Sequence, residues 1–156
     1  MEKNRTAMKK KYFVVYTALF GNYDYLLEPV PSKDCDYICF TDNPLLKSNL
    51  WNIHVVPRSL SAKMMNRHYK IKPHNYLKDY KASIYLDSNI KILKDPIDLF
   101  EKYLRTSSFF AINHVERNCI YSEALSCIAS KRADHKLTID QMFSYAREGY
   151  PTNNTL

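Results

Sequence analysis

Apolar positions come in short dense bursts early in the chain and at helical spacing later. Lys11 to Ala18 (KYFVVYTA) crowds aromatic and β-branched residues together and predicts a first strand. Gly21, Asn22, Pro29 and Pro31 punctuate the next stretch, FGNYDYLLEPVPSKD, and predict a loop. CDYICFTDNP reads as a second strand ending near Thr41-Asp42, and WNIHVVP as a short third one closed by Pro57. The period then changes. Leu60, Met64, Met65, His68 and Ile71 recur at near-helical spacing behind a Ser59 or Ser61 cap, until Pro73 interrupts. Asn75 to Tyr80 reads as one more helical turn, and ASIYLD as the next strand. Asp95 and Pro96 open a helix with an Ile97, Phe100, Tyr103, Leu104 stripe. SFFAIN predicts another strand, and Tyr121 to Lys131 a helix with Leu125 and Ile128 inward. Thr138 to Gln141 resembles a capping box for a last helix, striped by Ile139, Met142, Phe143 and Ala146 and stopped by Gly149. Strands alternating with helices predict an α/β layered fold with a mostly parallel sheet.

The 156 residues suffice for one ordinary domain, read as 12–156 behind a basic arm at 1–11. Only 2 glycines are present, with no GxGxxG or GxxxxGKS, which argues against a glycine-rich phosphate loop. The 13 tyrosines suit a half-polar core as well as sugar or base stacking. A net charge of +7 favours phosphate-bearing partners without choosing among them. No run of about 18 apolar residues occurs, and Tyr12 to Phe20 lacks a signal-peptide cleavage pattern, so a cytoplasmic location is the expectation. Cys35, Cys39, Cys119 and Cys127 lack CxxC spacing and read as reduced thiols rather than zinc ligands. His54, His68 and His74 read as structural or surface residues, His135 as exposed, and Trp51 as packed on the sheet.

In an open parallel sheet, ligands bind beyond the carboxyl ends of the strands. The first predicted strand passes Thr17 into Phe20-Gly21-Asn22-Tyr23-Asp24, the second ends at Thr41-Asp42, and the one after the long helix ends at Asp87-Ser88-Asn89. That helix carries Lys63, Arg67, Lys70 and Lys72, and Arg67 and Lys70 share a face. Carboxylates opposite cations suit a metal-bound diphosphate. Asp87 and Asn89 offer two hard oxygens to Mg²⁺ or Mn²⁺, although the same residue types also favour turns. His114 and Arg117 follow SFFAIN, where a strand end would bring them to a sugar or phosphate. Asp140 falls early in the last helix, where an acidic residue also complements the dipole.

YTALFGNYDYLLEP, DYICFTDN, MNRHYKIKPHNYLKDYKASIYLDSNIKIL, FFAINHVERNCIYSEA and LTIDQMFSYAREGYP occur in an order that resembles one family. It is the glycosyltransferase-like family of plant mucilage and pollen proteins and of bacterial polysaccharide gene sets. The resemblance runs from about Tyr12 to Pro151. It implies a GT-A (Rossmann-like), three-layer fold and transfer of a sugar from a nucleotide-diphospho-sugar, expected to be a UDP-sugar, with Mn²⁺ or Mg²⁺. It puts Asp87 and Asn89 in the place of the metal-gripping Asp-x-Asp, with Asn89 where many such enzymes have a second aspartate. It puts Thr17, Phe20, Tyr23 and Asp42 near base and ribose, and Arg67 and Lys70 at the diphosphate. His114, Glu116, Arg117, Tyr121 and Glu123 would line the donor-sugar and acceptor side. Arg67, His114 and Asp140 are the catalytic candidates. The family pattern continues beyond the EGYP block, so the chain reads as C-terminally truncated.

The expected partners are a nucleotide sugar and a glycan or lipid-linked acceptor, with peripheral contact to an acidic membrane face and no nucleic acid. A nucleotide-sugar binder without catalysis is the alternative. A nucleic-acid-binding domain fits the charge, but neither an RNA-binding fingerprint nor a helix-turn-helix pattern is present.

Overall fold

The computed structural model describes residues 11–22, 24–112 and 116–152. The chain divides into two compact units, Met1–Thr106 and Ser107–Leu156.

In the first unit, β1 (Phe13–Leu19), β2 (Cys35–Thr41), β3 (Asn52–Val55) and β4 (Ala82–Tyr85) form one sheet in the order β3-β2-β1-β4. Every pairing is parallel. The chain steps outward from β1 to β3, then returns through helix α1 (Ala62–Ile71) to lay β4 on the far side of β1. β1 is therefore central. It matches β2 from Phe13 opposite Cys35 to Leu19 opposite Thr41, and β4 from Phe13 opposite Ala82 to Tyr16 opposite Tyr85.

A strand covered on both faces needs apolar residues at successive positions, which is how FVVYTAL and CDYICFT read. Alternate side chains feed two cores. Val14, Tyr16, Ala18, Phe20, Ile38 and Phe40 pack on one face with Met65 and Tyr69 of α1 and with Leu77. Val15, Leu19, Cys35, Tyr37 and Cys39 pack on the other with Trp51 and with Phe100 of α2 (Ile97–Tyr103). Helices on both faces make a three-layer α/β, Rossmann-like arrangement, consistent with the GT-A type expected.

Ser61 caps α1, accepting from the Met64 N–H at 3.3 Å. The helix is rotated from the expected stripe. Met65 and Tyr69 face the sheet, while Met64 and Ile71 face outward, Ile71 at 69% exposure. Tyr69 decides this, because its flat ring stacks 4.4 Å from Phe40 and 5.5 Å from Phe20. After α1 the chain makes a 3-10 turn at Pro73–Asn75 rather than an α-helical turn reaching Tyr80. Asp95 does open α2, accepting from the Ile97 N–H at 3.1 Å.

The long loop after β1 is tied down over the second core by ring tips. The Tyr37 hydroxyl donates to the Val30 carbonyl at 2.8 Å, and the Trp51 indole N–H to the Leu27 carbonyl at 2.9 Å. Glu28 accepts from the Ser48 hydroxyl and the Asn49 N–H, both at 2.9 Å. All four cysteines are free, and burial pushes the Cys35 and Cys39 thiols up to about 11 and about 12.

The second unit holds α3 (Ile120–Ala129) and α4 (His135–Arg147), packed on each other. SFFAIN is not a strand in its described part, 108–112. It joins no ladder among the described residues, and Phe109 is 80% exposed. A strand needs a partner edge, which a propensity pattern cannot supply. Leu125 points outward at 54% exposure, against the inward reading. Asp134, not Thr138, caps α4, accepting from the Leu137 N–H at 2.8 Å. Thr138 already lies inside the helix, its hydroxyl donating back to the Asp134 carbonyl at 2.6 Å. Phe143 and Ala146 are exposed rather than inward. Gly149 does stop α4, at φ 79°, and Tyr150 closes the end by donating to the Tyr145 carbonyl at 2.9 Å.

Truncating Phe100 removes the aromatic centre of the second core and its 4.7 Å stack on Phe13. Phe100→Ala should cost about 3–5 kcal/mol in urea unfolding, read from the fluorescence of Trp51. Burial also pushes Tyr16, Tyr37 and Tyr80 up to about 12. Unfolded tyrosines ionise near about 10, so the stability gained by keeping these rings neutral is complete below that pH. It should fall away as pH rises toward 12, with loss of ellipticity and ionisation of these three buried rings, followed in the NMR spectrum of ring-labelled tyrosine, growing together. Ionisation of Tyr16, Tyr37 or Tyr80 that precedes unfolding would contradict this.

Candidate functional site

Because β1 sits between β2 and β4, the carboxyl ends of these three strands lie side by side. The strand order reverses between β1 and β4, which is where open α/β sheets form a ligand crevice.

The backbone leaving β1 is held by two side chains. The Phe20 N–H donates to Asn66 Oδ1 of α1 at 3.1 Å. The next N–H, of Gly21, donates to Asp42 Oδ1 at 3.0 Å, just past β2. Gly21 and Asn22 then turn the chain with φ of 82° and 54°. The first suits glycine, and the second is the left-handed region that asparagine tolerates better than most residues. The second Asp42 oxygen faces Arg58 Nη1 at 3.5 Å.

At β4 the last ladder bond runs from the Leu86 N–H to the Tyr16 carbonyl at 3.1 Å. Asp87 to Ile90 then form a turn closed by the Ile90 N–H on the Asp87 carbonyl at 2.9 Å. Leu27 donates its N–H to the Ser88 carbonyl at 3.1 Å, and Ser88 is buried. That leaves Asp87 and Asn89 exposed on either side of it. Asp87 Oδ1 accepts from the Tyr85 hydroxyl at 2.9 Å and lies 3.9 Å from Lys70 Nζ. The same ammonium stands 4.7 Å from the centre of the Tyr85 ring. Tyr16 supports this corner. Its ring meets Tyr85 edge-on at 5.3 Å, and its hydroxyl donates to the Lys70 carbonyl at 3.1 Å. Burial keeps Tyr16 neutral, at about 12.

The expected site residues are distributed unevenly. Lys70 and Asp87 are in contact, with Asn89 two residues on. Asp42 lies at its strand end, tied to Gly21 and Arg58. Arg67 is exposed on α1. Thr17 and Phe20 have no exposed surface, and their side chains face the cores. Among the described residues the Thr17 hydroxyl has no hydrogen-bond partner. Tyr23 and His114 lie outside the described residues. Asp140 is on α4 of the second unit, lining a shallow depression with Phe143 and Arg147. In that unit Arg117 pairs with Glu116 and Glu123, Glu123 accepts from the Cys127 thiol at 3.3 Å, and Tyr121 donates to the Tyr150 carbonyl at 2.8 Å.

Sequence reasoning missed Asn66, Arg58 and Tyr85. Two of them left a signal. Asn66 is a polar residue beside Met65 and three before Tyr69, on the side of α1 that turns to the sheet, where a polar group needs a partner. Tyr85 stands two before Asp87, so both side chains leave the same side of the strand.

Among the described residues, no group of three or more His, Cys, Asp or Glu is gathered. Asp87 and Asn89 are exposed oxygen donors on one turn, the donor type that a hard divalent cation takes, and the Asp87 carboxylate faces the Lys70 ammonium.

A family model described as "TOD1/MUCI70, glycosyltransferase-like domain" matches residues 41–155. The chain belongs to this family. Comparison with curated proteins and with solved structures finds no match. The TOD1/MUCI70 stretch takes in Asp42, Asn66, Lys70, Asp87 and Asn89, and begins at the last residue of β2. A glycosyltransferase-like role follows from membership. No helix among the described residues is long and apolar enough to cross a membrane.

The bond from Gly21 to Asp42 can be separated from the ion pair with Arg58. Asp42→Asn keeps an acceptor for the Gly21 N–H, whereas Asp42→Ala leaves that exposed N–H to water. The alanine variant should lose about 0.5–1.5 kcal/mol and the asparagine variant less than half of that in urea unfolding. Equal losses would mean that the bond to the β1 turn contributes nothing.

Proposed function

We propose that the carboxyl ends of β1, β2 and β4 bind a nucleotide-diphospho-sugar, a UDP-sugar in the first instance, and that the chain transfers its sugar to a hydroxyl of a glycan or lipid-linked acceptor. The observation that carries this reading is the Lys70–Asp87 pair beside the strand-order reversal, with Asn89 on the same turn. It puts cation and oxygen donors together where an open α/β sheet takes its ligand. Membership of a glycosyltransferase-like family supports it.

In the transfer, the acceptor oxygen bonds the anomeric carbon. The bond from that carbon to the diphosphate oxygen breaks, and the hydroxyl proton passes to a base. Asp87 and Asn89 would hold Mn²⁺ or Mg²⁺. A divalent ion there supplies charge neutralisation for the departing diphosphate. Lys70 and Arg67 would add positive charge on the same side, and Asp42 and Asn66 would hold the β1 turn against the nucleoside. The net charge of +7 supports an anionic donor, and also an acceptor carried at an acidic membrane face.

Calorimetric titration of UDP in Mn²⁺, repeated in EDTA and with Asp87→Ala, tests the reading. UDP should bind in Mn²⁺, and binding should weaken at least tenfold in EDTA and in the variant. Folded wild-type protein that binds no UDP with or without metal would sink it.

A further inference from the structure

We propose that Lys70 is a built-in competitor for the metal-binding carboxylate: it occupies Asp87 in the empty site and is released toward the diphosphate when a divalent cation takes its place. This inference rests on the proposed function and adds an order of events to it.

The geometry has three parts. Lys70 Nζ is 3.9 Å from Asp87 Oδ1, the oxygen that also takes the Tyr85 hydroxyl. The ammonium stands over the Tyr85 ring at 4.7 Å, so the ring that orients the carboxylate also holds the cation. The helix backbone beneath is fixed by the bond from the Tyr16 hydroxyl to the Lys70 carbonyl at 3.1 Å, so any movement of the ammonium comes from its side chain. Asp87 is 59% and Lys70 51% exposed at the side chain. An ion pair of that exposure is weak, which suits a contact that must be given up. Two positive centres cannot share one carboxylate oxygen without repulsion. The flexible four-carbon stem of lysine lets the ammonium swing away, and phosphate oxygens are the partner that would receive it.

Calorimetric titration of Mn²⁺ alone, and then of UDP at saturating Mn²⁺, would be compared for wild type, Lys70→Met and Lys47→Met. Lys47 is exposed on the β2–β3 connection and is not a partner in the Lys70–Asp87 pair, so its substitution removes the same net charge and leaves that pair in place. Lys70→Met should bind Mn²⁺ about two- to fivefold more tightly than wild type, the scale set by an exposed ion pair, and UDP about tenfold more weakly. Lys47→Met should change neither by more than about a factor of two. Mn²⁺ binding to Lys70→Met that is equal to wild type, or weaker, overturns the competition and leaves the proposed function standing. So does a gain matched by Lys47→Met, since net charge then explains it. If neither Mn²⁺ nor UDP binds to any of the three folded proteins, the competition falls together with the proposed function.

Discussion

β1 is the element on which everything else in the first unit rests. It is paired on both edges and covered on both faces, so each of its side chains is committed to one of two cores. A one-residue slip would exchange those faces and unseat Tyr16, whose ring and hydroxyl support both Tyr85 and the backbone of α1. The corner holding Lys70 and Asp87 is thus an extension of the packing of β1. The site inherits its geometry from a strand buried along nearly its whole length.

The second face shows how a long loop is held with little regular structure. Trp51 and Tyr37 each bury a ring in the core and direct one polar atom to a loop carbonyl, so an apolar contact and a hydrogen bond act through one side chain. Glu28 reaches from the same loop to the segment before β3, and Leu27 bonds to the turn that carries Asp87 and Asn89. Ordering of the β1–β2 loop and shape of the β4 turn are therefore linked by backbone.

The strands of the first unit were legible because buried parallel strands are nearly continuous apolar runs, and β1 and β2 appear within a residue or two of their expected bounds. The convergence of three strand ends was legible as well, since the alternation of strands and helices implies a parallel sheet. What failed did so for tertiary reasons. Ile71 and Tyr69 compete for the buried side of α1, and aromatic stacking on Phe40 decides between them, a preference that no periodicity encodes. SFFAIN has strand composition but gains no edge to pair with among the described residues. At the site, Asp87 and Lys70 could be named from the sequence. Asn66 left only the signal of a polar residue on the sheet side of α1, and Arg58 left none, because its role depends on Asp42 coming within reach. Thr17 and Phe20 lie at the carboxyl end of β1, yet the sheet is covered on both faces, so both side chains are buried.

The two bonds that hold the end of β1 have a consequence for how this site meets an anion. Loops that cradle phosphate through the main chain do so with consecutive unclaimed amides. Here the first two amides beyond β1 are already occupied, one by Asn66 and one by Asp42. Negative charge arriving at this turn meets a carboxylate and filled donors. In the proposed reading, recognition of a phosphate would fall to mobile side-chain cations rather than to fixed dipoles. Such a site would be tuned by reach and ionic strength rather than by loop shape, and single surface substitutions would change its ligand preference while the strand beneath stays as it is.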